Sequence, residues 1–422
     1  MTLPSPPCTR CGRPRPLLPD DPFCPCGGVA RAPEPTAPGE PLARGPAAAS
    51  AWRWRRAFPF LDGVAPLVLG GGRVPPLQPL ALPGLPDGVL ALRDDLLPTG
   101  SWKDRGAAFL VAALAAAGRR ALIEDSSGNA GLSLAAHARA AGLTLRVFVP
   151  AATNPLKKEL IRAAGALLVE VEGPRDRAAD AALAARGPGV TYASHAAQPL
   201  FTAGAATAAF DIAAALGGMP DAVVAATGQG GYLTGVHAGF RALAAVRGDS
   251  PPRVVAVQPA GCAPLARAFR DGADDAEPWA LPLPSLAEGA VVPRPARAIE
   301  LLEAVNATGG AIVTVEEPAI ERALRLLWLA GMRVEPTAAL PVAFLLGDGA
   351  ARVLAGVRRV VVLLSGAGVR LGHPLVSPLG PEAAGAARSS PATPCRRRRA
   401  TTRRSRSGCA PARWRRSSAS RT

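Results

Sequence analysis

Pro98-Thr99-Gly100-Ser101-Trp102-Lys103-Asp104-Arg105-Gly106 holds one of only three lysines in a chain of 422 residues that carries 45 arginines. A composition that has exchanged lysine for arginine almost everywhere keeps lysine where arginine fails. A guanidinium is always protonated and is no amine nucleophile, so it cannot form an imine with an aldehyde. Lys103 is therefore the leading candidate for a Schiff-base lysine. The other two, Lys157 and Lys158, are adjacent in Asn154-Pro155-Leu156-Lys157-Lys158-Glu159-Leu160, the first turn of an amphipathic helix, and read as solvated surface charges. Taken alone, Lys103 is open to the same plain reading, because most lysines lie at the surface.

Around this motif the chain is punctuated as an α/β fold. Short runs rich in β-branched residues at 145–149, 222–225, 254–257 and 360–364 alternate with alanine- and leucine-rich helical stretches. That alternation predicts parallel sheets covered by helices. With 49% hydrophobic but only 4% aromatic residues, alanine, leucine and valine must build the core. Several strands run directly into glycine- or serine-rich turns, where such folds place ligand sites.

Three of these turns stand out. Asp125-Ser126-Ser127-Gly128-Asn129-Ala130-Gly131, ahead of the helical stretch 132–141, offers hydroxyls, an amide and backbone N–H groups at a helix start, suited to a carboxylate. The plain alternative is that its Ser and Asn cap the helix. Thr227-Gly228-Gln229-Gly230-Gly231-Tyr232-Leu233-Thr234-Gly235 has glycines that let backbone wrap a phosphate. It lacks the Lys-Ser/Thr ending of an NTP-binding loop and the G-x-G-x-x-G spacing of dinucleotide folds, so it suits a different phosphate or is a plain tight turn. Ser365-Gly366-Ala367-Gly368 closes the strand 360–364, and its hydroxyl serves either a ligand or the turn itself.

An imine-competent lysine, a phosphate cradle and a Ser/Asn turn together describe a pyridoxal phosphate site. The Lys103 segment resembles the cofactor-lysine motif of threonine synthase and its relatives among the fold-type II pyridoxal phosphate enzymes. Similar to that family are also Trp52-Arg53-Trp54-Arg55, the segment 126–131, Val257-Gln258-Pro259-Ala260-Gly261-Cys262-Ala263-Pro264-Leu265, Ala287-Glu288-Gly289, Glu335-Pro336-Thr337-Ala338-Ala339 and Ser365-Gly366, in the family's order. The resemblance spans roughly residues 8–375. It implies a tryptophan synthase β-like α/β fold of two parallel-sheet domains in a catalytic region 46–378, the smaller roughly at 105–210 and the larger from 46–104 plus 211–378. It also implies a small amino acid as substrate and a homo-oligomer, a dimer.

By position, the resemblance makes Lys103 the lysine bound to pyridoxal 5'-phosphate. Asn129 then meets the ring hydroxyl; Gly228, Gln229, Gly230, Gly231 and Tyr232 hold the phosphate through backbone N–H groups; Ser365 meets the pyridine nitrogen. Ser126, Ser127 and Ala130 line the place of the substrate carboxylate. A hydroxyl beside the pyridine nitrogen holds no proton there as a carboxylate would, which suits elimination and replacement over transamination. The implied reaction is that of threonine synthase, O-phospho-L-homoserine and water giving L-threonine and phosphate. The chain departs from the family at Gly70-Gly71-Gly72-Arg73-Val74-Pro75-Pro76-Leu77, at Leu97, and above all at Gln198-Pro199-Leu200-Phe201-Thr202-Ala203-Gly204-Ala205-Ala206-Thr207, where polar and basic groups are usual. Two alternatives stay open: a related lyase or β-replacement enzyme, such as a threonine/serine ammonia-lyase or a cysteine or cysteate synthase, and a degenerate homologue without catalysis.

The ends of the chain are separate modules. Cys8-Thr9-Arg10-Cys11-Gly12 and Cys24-Pro25-Cys26-Gly27-Gly28 supply four thiols in two close pairs, suited to a structural tetrahedral zinc; a relic knuckle without metal is the alternative. Residues 1–45 thus read as a zinc-ribbon-like module, with a proline- and alanine-rich linker over 31–50. The start has no apolar signal core and no run of about 18 uncharged apolar residues occurs, so we expect a cytoplasmic protein with no membrane partner. The formal charge of +16 is concentrated in residues 388–422, with 12 arginines and no acid; without them it is +4. The tail, 379–422, is expected to be disordered, and it is either a nonspecific binder of nucleic acid or the product of a shifted reading frame. The body carries no nucleic-acid signal.

Overall fold

A computed structural model describes residues 4–368, and the arginine-rich tail expected over 379–422 lies outside the described residues. In chain order, β1 (Leu77–Pro79) and β2 (Val89–Leu92) precede α1 (Lys103–Ala116). Strands and helices then alternate: β3 (Ala121–Glu124), α2 (Asn129–Ala140), β4 (Thr144–Pro150), α3 (Pro155–Ala163), β5 (Leu167–Val171), α4 (Arg175–Ala184) and β6 (Val190–Tyr192). Two helices, α5 (Pro199–Gly204) and α6 (Ala206–Leu216), lead to β7 (Ala222–Ala226), α7 (Gly231–Arg247), β8 (Arg253–Pro259), α8 (Pro264–Arg270) and α9 (Ala298–Ala307). The last described elements are β9 (Ala311–Val315), α10 (Glu317–Leu329), α11 (Pro336–Leu345), α12 (Ala350–Val353) and β10 (Val360–Leu363).

The strands form two sheets, one of six in the order β1-β2-β10-β7-β8-β9 and one of four in the order β5-β4-β3-β6. Every pairing is parallel except β1 with β2. The runs expected at 145–149, 222–225, 254–257 and 360–364 are β4, β7, β8 and β10, all but closed to solvent on both faces. Register decides what the sheets present. Leu363 lies opposite both Leu92 and Ala225, so the carboxyl ends of β2, β10 and β7 share one edge and release Asp94, Ser365 and the Gly228 turn there. In the small sheet Ile123 lies opposite Tyr192, which brings the Asp125 turn and His195 to one edge.

The core is alanine, leucine and valine, as the composition requires, and several of the few aromatics meet at one place. Trp52 packs on Phe109 at 4.7 Å between ring centroids, Phe58 on Phe109 at 4.9 Å and Trp54 on Phe210 at 5.6 Å. Each ring contributes about 2 kcal/mol or more by leaving water, and together they press the 51–57 turn onto α1 and α6. Residues 199–216 are apolar and long enough for a membrane span, but 83% of that stretch is buried inside the protein. Its one charge, Asp211, accepts from Trp54 Nε1 and from Arg105 Nη1, each at 2.7 Å. The proline-rich segment after the cysteines runs along this body: Pro33, Pro35 and Pro38 are buried, and Thr36 and Leu42 donate to the carbonyls of Ala57 and Arg53. It is held as a strap because alternate prolines give it an apolar face.

Candidate active site

Lys103 opens α1, directly after a turn whose shape is fixed from within. Asp104 accepts from the Thr99 N–H at 2.6 Å, the Thr99 hydroxyl at 2.5 Å and the Ser133 hydroxyl of α2 at 2.6 Å. Arg105 is buried and bridges Asp94 (2.8 and 2.9 Å) and Asp211 (2.7 Å), while also donating to Thr207. Asp94 in turn accepts the Tyr232 hydroxyl at 2.5 Å. Two neighbours of Lys103 in sequence thus tie its turn to β2, α2, α6 and α7, which no local pattern disclosed.

The lysine amine lies 3.9 Å from the centre of the Trp102 ring, and that ring stacks flat on Tyr232 at 4.4 Å. Burial pushes Lys103 down to about 8, with Arg175 adding to the fall and the carboxyls of Glu335 and Glu124 opposing it. An amine held there is a far better nucleophile and base near neutral pH than an exposed lysine. Lys157 and Lys158, by contrast, sit on α3 and pair with Glu288 at 2.6 Å and Glu170 at 2.8 Å.

On the large-sheet side the groups are uncharged donors. The backbone N–H groups of Gly228, Gln229, Gly230 and Gly231 have no acceptor among the described residues and lie at the start of α7, a ready anion site. Gly230 has φ +93°, and a side chain there would also press on Arg297, so the turn needs glycine. Gln229 is anchored elsewhere, its carbonyl and side-chain oxygens accepting from Arg297 and Ala296. The hydroxyls of Ser365 and Thr202 are buried without a partner among the described residues, and Thr202 Oγ1 lies 3.3 Å from where a Gly231 Cβ would stand. Ser365 O accepts from Trp102 N, which seats that serine beside the lysine turn. Asn129 donates to Glu335 at 2.8 Å, and a Cβ on Gly366 would collide with that pair, so Asn129, Glu335 and the Ser365-Gly366 turn meet.

The small-sheet side is titratable. Glu124 is fully buried and lies 2.7 Å from His195 Nδ1; Tyr192 donates to Asp125 at 2.8 Å, and Arg175 approaches Asp125 at 3.9 Å. Burial, then Asp125, drives the Glu124 carboxyl well above its usual range, and burial, then Lys103 and Arg175, drives His195 well below its own. Ser126 is buried and accepts from Gly128 N at 3.3 Å, Ser127 is half-buried and Ala130 is buried. The residues that replace the family's polar segment serve packing: Gln198 donates to the carbonyls of Pro19 and Tyr192, and Thr207 to that of Gly204.

Residues 68–366 match the pyridoxal-phosphate dependent enzyme family over most of the described chain. The chain belongs to that family. As a pyridoxal-phosphate dependent enzyme it is 30% identical to threonine synthase of Mycobacterium tuberculosis over 302 residues, covering 69% of this chain and 80% of that one. Threonine synthase of Synechocystis is 31% identical over 339 residues, 76% and 85% of the two chains, and that of Methanocaldococcus jannaschii 30% over 282 residues, 65% and 68%. Among solved structures, a T.th. threonine deaminase matches with a TM-score of 0.58 and 30% identity over 68% of this chain and 89% of that one. An L-serine ammonia-lyase of Rhizomucor miehei matches with a TM-score of 0.61 at 23% identity, over 70% and 93%, and speaks for the fold alone. The enzyme is thus a pyridoxal phosphate-dependent lyase of fold type II. Four open N–H donors at a helix start, two orphaned hydroxyls and a low-pKa lysine are the groups a phosphate, a pyridine and an aldehyde require.

The four N-terminal thiols converge as well. The sulfur atoms of Cys8, Cys11, Cys24 and Cys26 all lie within 4.8 Å of one another, with Cys8–Cys26 at 3.5 Å and Cys11–Cys24 at 3.7 Å. A tetrahedron with metal–sulfur bonds of about 2.3 Å places its sulfurs about 3.8 Å apart. The Arg13 backbone N–H pulls Cys11 down to about 6, while Cys26, despite a hydrogen bond from Gly28 N–H, is pushed up to about 11 by burial and the neighbouring thiols.

Proposed function

We propose that this enzyme is a threonine synthase, converting O-phospho-L-homoserine and water to L-threonine and phosphate. The observation that carries the reading is the agreement of curated relatives from distant organisms, threonine synthases at about 30% identity, with a lysine turn seated between a phosphate cradle and an orphaned serine. When bound, pyridoxal phosphate supplies the electron sink that weakens bonds at the substrate's α and β carbons. Lys103 would hold the cofactor, and its amine, when free, would move the proton at the substrate's α carbon. Gly228, Gln229, Gly230, Gly231 and Tyr232 hold the phosphate through backbone N–H groups, Asn129 the ring oxygen, and Ser365 the ring nitrogen without charging it. Ser126, Ser127 and Ala130 receive the substrate carboxylate. Arg175 supplies a cation on the substrate side that the segment 198–207 lacks. We read the enzyme as a cytoplasmic homodimer whose Cys8, Cys11, Cys24 and Cys26 hold a structural zinc.

The test is turnover of O-phospho-L-homoserine by the purified holoenzyme, with phosphate and threonine quantified together and Lys103→Ala as control. Equimolar products absent from the variant support the reading. A second reading, a threonine/serine ammonia-lyase, draws on the match to the T.th. threonine deaminase and on the packing role of Gln198 and Thr207. It predicts a 2-oxo acid and ammonia from threonine or serine, with no release of phosphate.

A further inference from the structure

Glu124 and His195 take no part in the cofactor site as read above, and neither belongs to a motif that suggested one. We propose that they form the acid/base pair that serves the carbon–oxygen bond of the substrate, with His195 Nε2 as the group that gives and takes the proton. The inference rests on the reading that a substrate C–O bond breaks, which holds for a phosphorylated and for a hydroxylated amino acid alike.

Register brings the two residues together. Glu124 ends β3 and His195 lies three residues beyond β6, and the pairing of Ile123 with Tyr192 brings both to the carboxyl edge of the small sheet. Glu124 has no exposed surface, and its Oε2 has no partner among the described residues. A carboxyl so placed keeps its proton, because an isolated buried carboxylate is costly. Its Oε1 lies 2.7 Å from His195 Nδ1, so that proton bridges the two and leaves the imidazole with its other proton on Nε2. Nε2 has no hydrogen-bond partner among the described residues.

The ring is held in place beside the lysine turn. Phe201 packs edge-on against His195 at 6.0 Å and against Trp102 at 6.0 Å, and Trp102 covers the Lys103 amine. The charges around the imidazole are Lys103 and Arg175, which oppose its protonation, while Asp125 is engaged by Tyr192 and Arg175. The pair therefore starts with two protons and no net charge.

The proton balance is simple. As the C–O bond breaks and its electron pair departs on oxygen, Nε2 gives its proton to that oxygen and the bridging proton passes from Glu124 to Nδ1, leaving one negative charge on Glu124. When water adds at carbon, its proton goes to Nε2, its oxygen forms the new C–O bond, and the bridging proton returns. Glu124 is the positioning residue and His195 the catalytic one.

The chain has four histidines, so nitrogen-15 histidine spectra of the wild-type holoenzyme resolve His195, with His195→Gln as the assignment. The expected result is a neutral imidazole carrying its proton on Nε2 throughout pH 6–8. Glu124→Gln, whose amide still donates to Nδ1, keeps that tautomer yet slows turnover because no proton can pass. His195→Gln is expected to load cofactor normally and to lose about 10²–10³-fold in kcat with KM within about threefold. A charged ring or an Nδ1–H tautomer at pH 7 overturns the proposal, as does a His195→Gln enzyme within threefold of wild-type kcat. If the wild type turns over neither proposed substrate, the functional reading fails, and the spectra still decide the pair.

Discussion

The two sheet edges that face Lys103 are made of different chemistry. The large-sheet edge offers uncharged donors, the N–H groups of residues 228–231 and the hydroxyl of Ser365. The small-sheet edge offers groups that titrate: Glu124, Asp125, Arg175 and His195. In the proposed assignment, a cofactor that stays through many turnovers meets fixed dipoles, which cost no reorganisation, whereas a substrate that loses and gains protons meets groups that exchange them. The lysine sits between, with an amine that feels both sides.

The contrast breaks most visibly at Arg105. Its buried pairs with Asp94 and Asp211 hold the lysine turn, so Arg105→Gln is expected to cost about 3–5 kcal/mol in denaturant unfolding, by stranding two buried carboxylates. Arg175→Gln at the substrate edge replaces an exposed side chain and is expected to cost under about 1 kcal/mol in the same experiment. Equal losses would mean that the two edges are not distinguished by rigidity.

Titration of Lys103 reports on both edges at once. With Lys103 near 8, the rate of cofactor loading is expected to rise about tenfold from pH 7 to 9 and then level off. Glu335→Gln removes the carboxyl that most opposes the fall and moves the midpoint lower; a midpoint unchanged or raised would contradict the assignment. The sign extends to stability. Folded Lys103 binds fewer protons than the unfolded lysine between about 8 and its ordinary value of 10.5, so the apoprotein gains stability across that window as pH rises. Lys103→Met should lack that gain, which the pH dependence of the difference between the two proteins measures.

Much of the large-sheet edge was legible because its chemistry is contiguous: glycines at 228–231 and a serine after β10 announce themselves in a few residues. The strands were legible for the same reason, since buried parallel strands read as β-branched runs. The small-sheet edge was legible only at the 125–131 turn, because Glu124, Arg175 and residues 192–195 join that turn only through parallel register. Arg105 and Glu335 lie in quoted motifs, yet their partners Asp211 and Asn129 are 106 and 206 residues away. Thr202 lies in a segment quoted only for the polar groups it lacks, one hydroxyl in an apolar helix.

Smaller effects bound the account. Chelation at pH 7 is expected to leave turnover within about twofold, to free the thiols of Cys8, Cys11, Cys24 and Cys26 for alkylation, and to lower the melting temperature by a few degrees. Thiols equally reactive before and after chelation would remove zinc from the reading. Lys157→Met, which breaks an exposed pair with Glu288, should change stability by less than about 1 kcal/mol and leave cofactor loading untouched.

Borohydride reduction of the loaded enzyme, followed by peptide mass mapping, tests the central assignment most directly, because only three lysines compete. The account predicts one reduced pyridoxyl phosphate per chain, on the peptide containing Lys103 and on neither Lys157 nor Lys158. A label on the 157–158 peptide, or none on Lys103 in protein that has bound the cofactor, would contradict it.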